Sequence, residues 1–167
     1  MSTITLRRIV TDVDAHGTSV FVDDEPIAST ESPELDIYNL WGTNDVPVVG
    51  AGSGSPAMVS EPFYPGPGGV RAVQCVLHPG IADASASEGQ EGLQDAFDQE
   101  RPGFHTTDTV DYGICLDGEV YLVLDHDEER LITPGTVVVQ HGTTHAWQNR
   151  SDRDCTMLFV IHGAERS

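Results

Sequence analysis

Of the seven histidines, His105, His141 and His145 bracket a run of strand-like segments that also contains an aspartate. In GFHTTDTVDYGICLDG (residues 103–118) a strand period of two puts His105, Thr107, Asp111 and Gly113 on one face. His145 opens the later strand THAWQN, with Trp147 and Asn149 on its face. If the two strands face each other across a barrel, two imidazoles and one carboxylate converge. That donor set suits a divalent metal ion (Fe, Mn or Zn) and leaves coordination positions open for substrate or water. The spacing by itself is shared by any chain rich in His and Asp.

Other residues admit two readings each. Arg71 precedes the strand VQCVL and either clamps a substrate carboxylate or pairs with a neighbouring carboxylate. Trp147 is either an aromatic wall for a ring substrate or part of the core. His141 is a fourth donor or proton carrier, or else a turn residue on the barrel rim. Trp41 and Tyr64 are placed to cap a pocket mouth or a subunit seam. His16, His78 and His126 lie in or beside turns and read as solvated surface, while His162 ends the last strand and reads as packed.

These side chains must be carried by strands. Val and Ile outnumber Leu 26 to 10, and 27 Gly and Pro supply turns, which favours short strands over helices. Residues 5–14 and 18–24 form a hairpin around Ala15-His16-Gly17, and residues 36–43 and 70–80 are further strands. Residues 50–69 carry too much Gly, Pro and Ser for regular structure and read as a surface loop. EGLQDAFDQE (residues 91–100) is the one helical stretch, inside an acidic insertion or lid over 81–103. Six short strands then follow from residue 104 to 162, separated by turns such as Asp117-Gly118 and Pro134-Gly135. The expectation is a single all-β domain over residues 1–167, with residues 1–80 supplying a strand-rich arm and the first strands.

The composition excludes several roles. With 27 acidic residues against eight Arg and no Lys, the formal net charge is −19. Nucleic acid would be repelled, and anionic membrane surfaces are disfavoured. No apolar run is long enough for a membrane span and no signal-like apolar segment opens the chain, so a cytoplasmic location is expected. Cys75, Cys115 and Cys155 are widely spaced in strand-like runs and read as three small buried residues.

Residues 103–149 resemble the two motifs of the small cupins, the metal-binding double-stranded β-helix or jelly-roll proteins. The first motif, G-x5-H-x-H-x3,4-E-x6-G, is similar to His105-x-Thr107-x3-Asp111-x6-Gly118. The second, G-x5-P-x-G-x2-H-x3-N, is similar to Gly135-x4-Gln140-x-Gly142-x2-His145-x3-Asn149. The resemblance extends to a group of small bacterial and fungal cupins of poorly defined role. It is strong over about the last 65 residues and loose over the first 80. Three positions depart from the pattern: Thr107 for the second His, Asp111 for Glu, and Gln140 for Pro.

The resemblance implies a metal held by His105, Asp111 and His145, with Thr107 facing an open coordination position. It also implies a homodimer, with the N-terminal arm covering exposed strand edges. Function then divides three ways. The first is a metal-dependent enzyme acting on a small organic metabolite, aromatic or carbonyl-bearing, as lyase, dehydratase, isomerase or oxygenase. The second is a small-molecule-binding module without bound metal, and the third a metal-free barrel that only mediates association. The absence of a basic DNA-reading segment weighs against the sensor form of the second.

Overall fold

A computed structural model describes residues 5–50, 58–81 and 92–167. Residues 82–91 of the expected lid lie outside the described residues. Among the described residues eleven strands account for nearly all regular structure, and every strand pairing is antiparallel. β1 (Arg7–Val13) and β2 (Ser19–Pro26) pair only with each other, as the hairpin expected from the two N-terminal runs. A six-stranded sheet takes β3 (Thr30–Glu31), β4 (Leu35–Thr43), β5 (Val70–Leu77), β11 (Cys155–Gly163), β6 (Thr109–Asp117) and β9 (Val137–His141), in that order. A smaller sheet orders β10 (Ala146–Gln148), β7 (Val120–Val123) and β8 (Glu129–Ile132). The arrangement is the jelly-roll-like sandwich of two antiparallel sheets that the strand density implies.

Alternation explains which side chains enter the core. Along β5, Arg71, Val73, Cys75 and Leu77 are buried and the residues between them only half-buried. β6 buries Thr109, Asp111, Gly113 and Cys115 in the same way, and β11 buries Cys155, Met157 and Ile161. All three cysteines are buried and free, as expected. The expected helix reduces to a single 3-10 turn over Gln94–Ala96 among the described residues. Leu93 just before it is buried in the core, so this end of the acidic segment packs inward rather than forming only a solvated face. Among the described residues no helix is long and apolar enough to cross a membrane.

Buried polar groups tie the strand ends together. The Asn149 amide donates to the carbonyls of Leu77 and Arg153, each at 2.8 Å, and its Oδ1 accepts from the Ser151 hydroxyl at 2.7 Å. Its backbone exchanges bonds with Gly80 and Ile81, at 2.9 and 3.1 Å. The chain after β10 is thereby fastened to the end of β5. Nearby, His78 sits between Asp154, 2.9 Å from its Nδ1, and Asp36, 3.4 Å from its Nε2. The surface reading of His78 therefore gives way to a clamp joining β4, β5 and the loop before β11.

Two predictions follow from these contacts. Gly118 has φ +77, and a Cβ built on it would lie 2.3 Å from the Asp154 carbonyl oxygen. Gly118→Ala should cost about 2–4 kcal/mol, from left-handed strain and forced backbone movement together; urea unfolding showing no loss would contradict this packing. The His78 clamp is pH-dependent. The hydrogen bond to Asp154, followed by the effect of Asp36 against burial, raises the His78 pKa above its ordinary value. Its contribution is then fully present below about pH 6.5, the unfolded value, and is lost as pH rises through the raised folded value. Wild type should exceed His78→Gln in thermal stability at about pH 6, by no more than about 1 kcal/mol, with the gap closing towards pH 9. An equal gap at both pH values would remove the clamp from the account.

Candidate functional site

His105 and His145 lie in two short segments that form an isolated antiparallel bridge. Two backbone hydrogen bonds lock it, His105 N to His145 O at 2.9 Å and His145 N to His105 O at 3.0 Å. Residues directly opposite in an antiparallel pair project to the same face. The two imidazoles therefore stand side by side, with ring centroids 4.1 Å apart. A second bridge joins Phe97 to the other edge of His105, so the smaller sheet continues from β10 through His105 to Phe97. The sequence expectation of opposed strands is thus corrected: the histidines meet as neighbours within one sheet, not across the barrel.

The tautomers follow from the partners. His145 Nδ1 lies 2.9 Å from the Thr143 carbonyl and His105 Nδ1 lies 3.4 Å from the Gly103 carbonyl. A carbonyl only accepts, so each Nδ1 carries the proton and each Nε2 keeps a lone pair. Burial lowers the His105 pKa, opposed by the Gly103 carbonyl. Burial, then the neighbouring His105 ring, brings His145 down to about 3. Both rings are neutral at pH 7, the form that serves as a base or a ligand.

They open on a mainly apolar cavity with about 100 Å³ of space for the centres of water-sized spheres. A single water needs roughly 10–15 Å³, so the space admits several waters or a small ring. Aromatic rings surround the histidines. Phe97 is 5.0 Å from His105 between centroids, Tyr64 stacks on His105 at 6.4 Å, and Trp147 meets His145 edge-on at 6.1 Å. Tyr64 therefore lines the cavity, whereas Trp41 lies apart under Arg8 of β1, 5.9 Å from the guanidinium.

Asp111 also lines the cavity, but from β6 of the larger sheet. Its Oδ1 is buried without a hydrogen-bond partner. Burial pushes its carboxyl up to about 6, while the Thr109 hydroxyl favours the charged form. Burial raises the Tyr64 hydroxyl strongly, and the Asp111 charge adds to it. The donor chemistry fits a divalent cation: two neutral imidazoles with free lone pairs and a carboxylate oxygen with no partner. Even so, among the described residues no three His, Cys, Asp or Glu side chains stand together as a group able to hold a metal ion. The reason lies in the chain path. β6 begins only at Thr109, so His105 belongs to one sheet and Asp111 to the other, and one strand face does not carry both.

The remaining candidates fall outside the cavity lining. The Arg71 guanidinium is buried, donating to the carbonyls of Thr43, Val70 and Pro62 and to Asn44 Oδ1 at 2.5–3.2 Å. Among the described residues it pairs with no carboxylate; it fastens the segment bearing Phe63 and Tyr64 to β5. The Thr107 hydroxyl is spent on that of Thr109 at 2.6 Å. His141 is exposed, because the alternation of β9 turns the preceding residue, Gln140, inward instead. Gln140 was missed as a site residue. The run TVVVQ carries the signal, since period two makes Val138 and Gln140 share a face.

Comparison with known proteins bears on the fold. No family model matches the chain. It is 53% identical over 55 residues to phomopsin biosynthesis cluster protein C' of Diaporthe leptostromiformis, covering 30% of this chain and 29% of that one. It is 38% identical over 60 residues to the cupin-domain-containing oxidoreductase fogC of Aspergillus ruber, covering 34% and 30%. Each match thus spans less than a third of the relative's length. Among solved structures it is similar to KdgF from Halomonas sp., with TM-score 0.50 and 13% identity over 83% of this chain and 89% of that one.

The depressed His145 value has a direct check. In metal-free protein the His145 ring resonances should show no protonation inflection above about pH 4. Because the folded value lies below the unfolded one, the folded state loses stability as pH falls from about 6.5 towards 3. An inflection near pH 6.5 would contradict the buried, paired setting.

Proposed function

The chain carries a cupin domain, and from that premise we propose that it is a metal-dependent enzyme, of oxidoreductase type, acting on a small apolar metabolite held in the cavity. The observation that carries this reading is the pair of neutral imidazoles whose Nδ1–H groups are spent on carbonyls. Both Nε2 lone pairs are left for one reacting centre. The naming of the Aspergillus ruber relative as an oxidoreductase supports the reaction type.

The residues of the chain have separable tasks. His105 and His145 would hold the metal, while Asp111, which forms no metal-holding group with them among the described residues, lines the cavity from the other sheet. A divalent ion bound there would supply Lewis-acid polarisation of a substrate oxygen and a route for redox chemistry. The Gly103 and Thr143 carbonyls orient the two rings and fix their tautomers, as outer partners of ligating histidines do. Phe97, Tyr64, Trp147 and Phe159 exclude water and offer flat surfaces to an apolar or aromatic substrate. Asp111, with its carboxyl raised to about 6, is placed to accept or return a proton near neutral pH.

Metal binding tests the reading. Protein stripped of metal and dialysed against Fe²⁺, Mn²⁺ or Zn²⁺ should take up close to one equivalent of at least one of them. His105→Ala and His145→Ala should each weaken that uptake about 100-fold or more, since each removes half of the imidazole pair. Uptake that survives both substitutions would place the ion elsewhere, and uptake below about 0.1 equivalent in wild type would leave a metal-free binding module as the better account.

A further inference from the structure

The cavity has a second polar pole that the histidines do not use. Asp111 on β6 and Gln140 on β9 are register partners in the larger sheet, so their side chains leave the same face side by side. Both line the cavity, and only 7% and 5% of their surfaces are exposed. Asp111 Oδ1, an acceptor, and Gln140 Nε2, a donor, are both buried without any hydrogen-bond partner, each other included. Among the described residues no group satisfies these two atoms. The other register partner of Asp111 is the apolar Ile161, and the Thr109 hydroxyl, which bonds that of Thr107 and favours the charged carboxylate, leaves Oδ1 unpartnered. Buried polar atoms are nearly always paired, so two adjacent orphans of opposite sense on one cavity wall call for a ligand that completes them.

We propose that Asp111 and Gln140 form a two-point subsite for a substrate edge in which a carbonyl stands beside an N–H or O–H. The carbonyl oxygen accepts from Gln140 Nε2, and the adjacent N–H or O–H donates to Asp111 Oδ1. A lactam, a carboxylic acid in its neutral form, or a vicinal hydroxy-carbonyl presents this edge; a hydrocarbon, an ether or a lone ketone does not. The apolar and aromatic side chains lining the rest of the cavity fit the remainder of the molecule as a planar, uncharged ring. The assignment deepens the functional reading above and rests on the cavity being the substrate site. It gives Asp111 a substrate-binding task that needs no contact with metal.

The test uses metal-free wild-type protein and three ring probes followed by calorimetry. 2-Pyridone carries both the carbonyl and the adjacent N–H, N-methyl-2-pyridone has lost the donor, and toluene has neither. 2-Pyridone should bind about tenfold or more tightly than N-methyl-2-pyridone. Gln140→Met and Asp111→Leu should each reduce that preference to about threefold or less while toluene binding is retained or tightened. Circular dichroism melts report whether each variant folds, and the wild-type probe series decides the question if one does not. Equal affinity for the two pyridones, with toluene binding, would overturn the subsite and leave the pair to ordered water, with the cavity and metal readings intact. Failure of every ring to bind would overturn this subsite and the cavity reading together. Loss of metal uptake with the pyridone preference retained would overturn the metal reading alone.

Discussion

The candidate site depends on the antiparallel bridge between His105 and His145. Two backbone hydrogen bonds make these residues an opposed pair, and the geometry of such a pair sends both side chains to one side. The imidazoles have no choice but to share a space, and the adjoining Phe97 bridge covers the outer edge of His105. Everything chemical about the cavity follows from that. The rings are dry, so they are neutral; their Nδ1 atoms face local carbonyls, so their Nε2 atoms stay free. A backbone constraint thus sets protonation state and tautomer, and with them the available chemistry.

Against this fixed pole the larger sheet sets a different one. Asp111 and Gln140 project from adjacent strands into the same cavity, whose lining is otherwise mainly apolar and aromatic. A low-dielectric space of this kind strengthens each polar contact a ligand makes and penalises each one it fails to make. Polar groups set in otherwise dry walls favour an oriented substrate over a diffuse, water-like occupant. The proximity of Asp111 and Tyr64 adds to this, since the charge of the first opposes ionisation of the second. A neutral hydroxyl remains part of the wall.

Several residues with chemical potential serve the architecture instead. Arg71 is buried among carbonyl oxygens, where its planar fork satisfies several acceptors at once. Its effect on the site is indirect, through the segment that carries Tyr64. Asn149 spends its whole amide on Leu77, Arg153 and Ser151. His78 joins strand ends through two carboxylates. In a chain with net charge −19, such cation–carboxylate contacts also relieve local self-repulsion.

The strands were legible from the residues. β-branched excess, period-two runs and Gly/Pro punctuation located the N-terminal hairpin, β4, β5 and the six C-terminal strands, because those signals are local. The same local rules placed Asp111 inward and, read strictly along TVVVQ, would have placed Gln140 inward and His141 outward. What they could not decide was which sheet a segment joins. Residues 103–118 read as one continuous strand, yet the chain passes between sheets from His105 to Thr109, so His105 and Asp111 end on facing walls. The partners of Arg71 were equally out of reach, since they come from Thr43, Asn44 and Pro62. Periodicity determines which side of its own strand a residue faces. Only long-range pairing, whose hydrogen bonds join segments up to 80 or more residues apart such as β5 and β11, decides what it faces.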